Sequence, residues 1–297
     1  MKTTTIAATA ACFLLAACAA TRGASFATPE DAVYRLVAAA EDPAAAEELL
    51  GDGGFDLLRS GDDVADHQDV EAVAALVREG LKFEDVGPDR KLALLGRDAW
   101  ELPIPLVREA GAWRFDIEAG REEILNRRVG RNEISTLATL RALVEAQHEY
   151  AALGHAGPGV FASRILSRAG ERDGLYWPTN EGEEPSPLGE LAAVAFEEGY
   201  RAGEQPLPYH GYFYRLMTAQ GASAPGGARS YLDSDGRLNR GFAVLAWPAT
   251  YDNSGVMTFQ VNQQGLVFQK DLGRDTVRLA ARIQAYDPDA SWAPTGD

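Results

Sequence analysis

The sequence predicts an α+β protein built in two lobes. Three observations carry that expectation. Helix-start signals cluster before residue 80, turn-spaced apolar runs follow them, and helix then strands returns after residue 121. The 297 residues suit about two domains of ordinary size. Hydrophobic residues make up 46% of the chain, enough for real cores.

The chain opens on a leader. Lys2 supplies the charged start, and Thr3 to Ala17 is an uncharged, mostly small and apolar run. That run is too short to span a bilayer, which needs ~20 residues. It ends in Leu15-Ala16-Ala17-Cys18, which resembles a bacterial lipobox. The resemblance implies cleavage before Cys18 and lipid on its sulfur. The plainer reading is a secretory signal followed by an incidental cysteine. Cys12 would leave with the leader, so the mature chain has no disulfide. Ala19 stands where inner-membrane lipoproteins typically carry Asp, which points to an outer-membrane lipoprotein facing the periplasm. Residues Ala19 to Ala27 then form a small, polar tether, reaching roughly 30 Å when extended.

Charge narrows the partners. The chain carries 28 basic and 44 acidic residues, a net charge of −16. Such a surface repels nucleic-acid phosphates and anionic headgroups. The expected membrane link is therefore lipid, not a basic face.

The first lobe spans residues 28–120. Thr28 caps a helix that Pro29 opens, and Ala32, Val33, Leu36 and Val37 form its stripe. Asp42-Pro43 starts a second helix that Gly51 closes. A third runs from about His67 to Glu79, capped by Asp66, with Val70, Val73, Ala74 and Val77 inward. Strands follow at 81–86, 91–95, 99–107 and 113–117. This order, ending in Gly111-x-Trp113-x-Phe115-Asp116, is similar to a cystatin-like or nuclear-transport-factor-like cone.

The second lobe spans residues 121–287. Arg121 to Leu153 reads as one long helical stretch, with a break near Gly130 as the alternative. Its second half carries Ile134, Leu137, Leu140 and Val144 at helical spacing, with Asn132 as cap. Residues 170–187 form an exposed acidic loop. Ser186-Pro187 opens a helix to about Arg201, with Leu191, Val194, Ala195 and Phe196 inward. After the Pro206 corner, strands run at 212–218, 242–247, 256–262 and 266–270. A helix near 276–285 and a flexible tail over 288–297 end the chain.

Two resemblances add to this reading. The stretches Asn132-Glu133-Ile134 to Gln147-His148-Glu149-Tyr150, and Ala246-Trp247-Pro248-Ala249 to Gly265-Leu266-Val267-Phe268, are similar to the helix and closing hairpin of pilin and pseudopilin heads. The prepilin segment with its long hydrophobic helix does not match. The whole mature chain resembles the bacterial family called domain of unknown function 2950. Arg127-Arg128-Val129-Gly130-Arg131-Asn132-Glu133, Tyr209-His210-Gly211-Tyr212-Phe213-Tyr214 and Ala224-Pro225-Gly226-Gly227-Ala228 carry that likeness. The family implies kinship and no activity.

Several residues invite a chemical role, each beside a plainer one. His148 and His155 stand seven apart, not at the four-residue spacing of a zinc helix, and fit a polar helix end. Asp233-Ser234-Asp235-Gly236 with Asn239 resembles half a calcium loop, but Val244 takes the place of its last carboxylate. A strand-connecting turn explains the same residues. His210 lies among Tyr209, Tyr212, Phe213 and Tyr214. It reads as a general base, as part of a stacking platform for sugar or peptide, or as the entrance of a packed sheet. Gly226 and Gly227 sit in a loop, Gly221 to Gly227, that could close on a ligand beside it. The loop lacks the lysine and spacing of a phosphate cradle, so no cofactor is expected. No nucleophile elbow Gly-x-Ser-x-Gly occurs. The acid pairs Asp62-Asp63, Glu122-Glu123 and Glu183-Glu184 read as solvated loop or helix-start charge.

The expected function is non-catalytic. A lipid-anchored envelope protein would bind a protein or glycan through His210, Tyr209, Tyr212, Tyr214, Gly226 and Gly227. The alternatives are an envelope-polymer hydrolase using His210 as base, and an inert assembly subunit.

Overall fold

The structure is a computed structural model that describes residues 23–180, 182–198, 200 and 207–296. The leader, Cys18 and Pro206 lie outside the described residues. The protein is α+β.

Four helices open the first lobe: α1 (Pro29–Ala39), α2 (Pro43–Leu50), α3 (Gly54–Leu58) and α4 (Asp63–Glu79). The hydroxyl of Thr28 accepts the Asp31 N–H, and the carboxylate of Asp42 accepts those of Ala44 and Ala45. Both caps answer orphan donors of a helix start. α4 begins four residues earlier than the sequence suggests, capped by Asp62 rather than Asp66. The Asp66 carboxylate instead takes the Ser60 N–H.

A meander of β1 (Leu81–Gly87), β2 (Arg90–Leu95), β3 (Trp100–Glu101), β4 (Leu106–Glu109) and β5 (Ala112–Phe115) follows. It is antiparallel, in the order β1-β2-β4-β5, with β3 beside β2. The single strand expected over 99–107 is split into β3 and β4. Pro103 and Pro105 lie in the gap, and proline has no N–H to give the ladder. The tether is shorter than expected. The Ala24 N–H reaches the carbonyls of Glu48 and Leu49, and Phe26 pairs with Trp113 and is buried.

Helix α5 (Ile117–Leu153) is one element of 37 residues, capped by Asp116 and closed by Gly154. It runs through Gly130 unbroken, so the single-helix reading holds and the alternative break does not. Its first turns, through Ile117 and Ile124, belong to the first core, and Leu140, Leu143 and Tyr150 belong to the second. The buried stripe includes polar Asn132, Thr136 and Gln147, whereas Ile134 is 70% exposed. Asn132 is no cap: its amide donates to the Ser254 carbonyl.

The second lobe adds β6 (Arg164–Leu166), β7 (Gly174–Tyr176), α6 (Gly189–Glu197), β8 (Tyr212–Met217), β9 (Ala219–Gln220), β10 (Arg229–Ser230), β11 (Ala243–Pro248), β12 (Met257–Asn262), β13 (Phe268–Asp271), α7 (Thr276–Ala280) and β14 (Ala293–Pro294). The main sheet has the order β14-β13-β12-β11-β8. β11 and β12 are buried along almost their whole length. Three expectations change here. The acidic loop over 170–187 contains β7 and buries Leu175 and Trp177. α6 has no fully buried residue, and Val194 points outward. The tail is not loose, because β14 pairs with β13 and the Thr295 N–H reaches the Val267 carbonyl. No helix among the described residues is long and apolar enough to cross a membrane.

Candidate functional site

The loop before β8 brings His210 to the seam between the lobes. Asp62, at the start of α4, is 2% exposed. One of its oxygens caps α4 through the Ala65 N–H at 3.2 Å. The other accepts the Tyr200 hydroxyl at 2.7 Å and the Gly211 N–H at 2.9 Å. The Tyr200 oxygen in turn accepts the His210 N–H at 3.2 Å. Gln68 of α4 donates to the carbonyl of Glu198. Asp62 is thus helix-start charge, as one of the two sequence readings had it, but buried and shared by both lobes rather than solvated. A second buried tie lies nearby. Arg128 of α5 donates to the carbonyls of Leu57 and Arg59 and to the Asn253 side chain.

His210 takes a left-handed backbone, φ 49°, which costs a non-glycine residue of order 1 kcal/mol. Gly211 follows at φ 75°, where an added Cβ would stand 2.5 Å from the Asn132 amide nitrogen. The turn is therefore closed tightly onto α5. The imidazole lies against Tyr209, with ring centroids 4.2 Å apart, and its Nε2 is 3.5 Å from a Glu198 carboxylate oxygen. That oxygen is buried and accepts no hydrogen bond from the described residues. Burial pushes the imidazole below its ordinary value, against the pull of Glu198 and Asp62, with Arg131 adding to the lowering. Burial, with Glu198, also pushes the Tyr209 hydroxyl up to about 12.

The candidate aromatics divide. Tyr209 and His210 are partly exposed. Tyr212 is fully buried, and its hydroxyl donates to the Met257 carbonyl. The Tyr214 hydroxyl faces Thr136 of α5 at 3.3 Å. These two rings fill the space under α5 and are not offered to a ligand. Alternation along β8 decides this, since residues 212 and 214 share the face that meets α5.

Gly226 and Gly227 lie at φ 88° and 72° in a loop that is folded back on itself. The Gln220 amide donates to the carbonyls of Pro225 and Gly227, both at 2.8 Å. The Tyr231 hydroxyl holds the same amide by its oxygen. The Ser223 N–H donates to Asp287 at 2.7 Å, and Asp287 lines a groove of about 670 Å³. Lys270, Arg282 and Trp292 line that groove too, with the Lys270 ammonium 5.9 Å from the Trp292 ring. The loop therefore borders a groove, and His210 does not line it.

The remaining candidates are engaged in local structure. His148 reaches the Gln263 carbonyl at 3.0 Å, and its ring meets Phe161 and Phe242. His155 packs against Trp177. Asp233 accepts the N–H groups of Asp235 and Arg237 and the side chains of Arg237 and Asn239. The Arg237 guanidinium also bonds Asp235, so an internal cation bridges the two carboxylates. No cluster of three metal-type ligands occurs among the described residues.

Sequence reasoning missed Asp62, Glu198, Tyr200 and Arg128. Arg128 had a signal in the Arg127-Arg128-Val129-Gly130-Arg131 stretch. For Asp62, Tyr200 and Glu198 the ties across the seam join residues more than 100 positions apart, which no local pattern reveals.

A model of the family described as protein of unknown function DUF2950 matches residues 23–295. The chain belongs to this family. The match covers both lobes, so the seam and the groove lie within the family's own span. No curated protein and no solved structure matches the chain.

Proposed function

We propose that this member of the DUF2950 family is a non-catalytic, lipid-anchored envelope protein that holds a protein or glycan partner in the periplasm. Lipid on Cys18 would fix it to the outer membrane. The observation that carries the reading is the groove beside the Gly221–Gly227 loop. It combines an aromatic wall, Trp292, with Lys270, Arg282 and Asp287, the mixture that orients an extended polar chain. The likeness to a cystatin-like cone and a pilin head belongs to the same reading.

One observation favours a second reading, hydrolysis of envelope polymer. The Glu198 carboxylate stands beside a His210 whose lowered value suits a neutral base. Against it, the His210 turn is tied into the seam through Tyr200 and Asp62.

Co-sedimentation with purified peptidoglycan sacculi separates the readings. Binding without release of soluble fragments, weakened by Trp292→Ala and unchanged by His210→Ala, supports recognition. Release of fragments that His210→Ala abolishes supports hydrolysis and ends the non-catalytic reading.

A further inference from the structure

The first lobe and α5 line a half-open cavity of about 430 Å³, within the ~300–1,000 Å³ common for small-molecule sites. Its wall is mostly apolar. Leu36 of α1, Leu58 after α3, Val70 and Val73 of α4, and Ile104 before β4 contribute to it. The helix over it is not closed down on the sheet. Val70, Val73 and Leu76 are only half-buried, whereas Val77 is buried. Close-packed interiors leave few voids of this size.

Charged residues of two helices complete the lining. Arg127, Arg128 and Arg131 of α5 line the cavity together with Asp66 and Asp69 of α4. Asp69 is forked by Arg131, at 2.9 and 2.7 Å. Asp66 has Arg59 at 3.3 Å, and Arg127 has Glu123 at 2.6 Å. Arg128 is different. It is 6% exposed, and its hydrogen bonds go to two carbonyls and an amide oxygen, all neutral. The lining thus carries one more cation than anion, in a chain whose net charge is −16. Asp66 and Asp69 attract Arg128 only from beyond ion-pair distance, and a buried cation so placed favours an anionic ligand group near it.

We propose that this cavity binds a single-chain amphiphile with a carboxylate head, its alkyl chain among the apolar side chains and its head beside Arg128 and Arg127. The inference rests on the cavity alone and is independent of the envelope reading. It also gives the arginine-rich stretch of α5 a role beyond joining the lobes.

The test uses the full-length chain carrying Cys18→Ser, which removes any attached lipid. cis-Parinarate, a fluorescent long-chain carboxylate, is titrated in and then displaced. The expected result is saturable binding of one equivalent. Palmitate should displace the probe at least tenfold better than hexadecanol, which has a similar chain and no charge. Arg128→Gln should remove that preference while hexadecanol binding persists, an internal check that the cavity survives. Val73→Trp, which fills the cavity, should weaken both ligands at least tenfold, and Trp292→Ala should weaken neither. Absence of saturable binding overturns the proposal. Equal affinity for palmitate and hexadecanol overturns the carboxylate assignment, and stronger displacement by a two-chain phospholipid overturns the single-chain one. Loss of sacculus binding in Trp292→Ala with palmitate binding intact would show the two sites to be separate.

Discussion

Replacing Asp62 with alanine tests whether the seam is held by a shared acceptor. Two terms add. An Asp N-cap contributes about 1 kcal/mol to its helix. The Tyr200 hydroxyl and Gly211 N–H then lose a charged acceptor in a buried place, at about 1–3 kcal/mol for the donors left unpaired. The expected cost is about 2–4 kcal/mol. Thr28→Ala is the control, because Thr28 also caps a helix but is exposed. It should cost about 1 kcal/mol. Urea unfolding followed by circular dichroism and tryptophan fluorescence measures both. The Asp62→Ala midpoint should fall well below that of Thr28→Ala. Equal midpoints would refute the shared-acceptor argument, since only the cap term would then be real.

Further outcomes follow from other residues. Gly130 has nothing within 4 Å of an added Cβ, so Gly130→Ala should stabilise by about 0.5–1 kcal/mol. Gly120 lies in the same helix, and its Cβ would stand 2.8 Å from the Pro103 carbonyl oxygen. Gly120→Ala should destabilise by about 1–3 kcal/mol, and a shared sign in urea unfolding would discount the packing argument. His210, facing Glu198, Asp62 and Arg131, has a folded-state value below the unfolded ~6.5. As pH drops below about 6.5 the unfolded chain takes up the proton first, so stability falls. His210→Gln should flatten the curve of unfolding free energy below about pH 6.5, and an unchanged slope would remove His210 as its source. Calcium should leave the unfolding midpoint where it is, because Arg237 already bridges Asp233 and Asp235; a rise that Asp233→Ala abolishes would reverse that conclusion.

Local signals were legible in the sequence. Thr28-Pro29 and Asp42-Pro43 place two helix starts, because a cap and its helix are neighbours in the chain. Turn residues and alternation locate β1, β2, β5, β8, β11 and β12 to within a residue or two. The same logic failed where tertiary context reversed a local preference. Ile134 fits the apolar spacing of α5, yet the buried face includes Asn132 and Thr136, whose polar groups meet Ser254 in a distant turn and Tyr214 of β8. The tail carries no strand signal, yet β13 offers it an open edge.

The sequence by itself determined the α+β class, the order of helices and strands, and the kinship carried by its motifs, because each depends on residues close together in the chain. Only the tertiary structure decided that Asp62, Tyr200 and His210 meet at a seam, that the Gly221–Gly227 loop borders a groove through Ser223 and Asp287, and that Arg128 lines a mostly apolar cavity. Those sites join side chains far apart in sequence, and the burial that gives them their chemistry exists only once both lobes have packed.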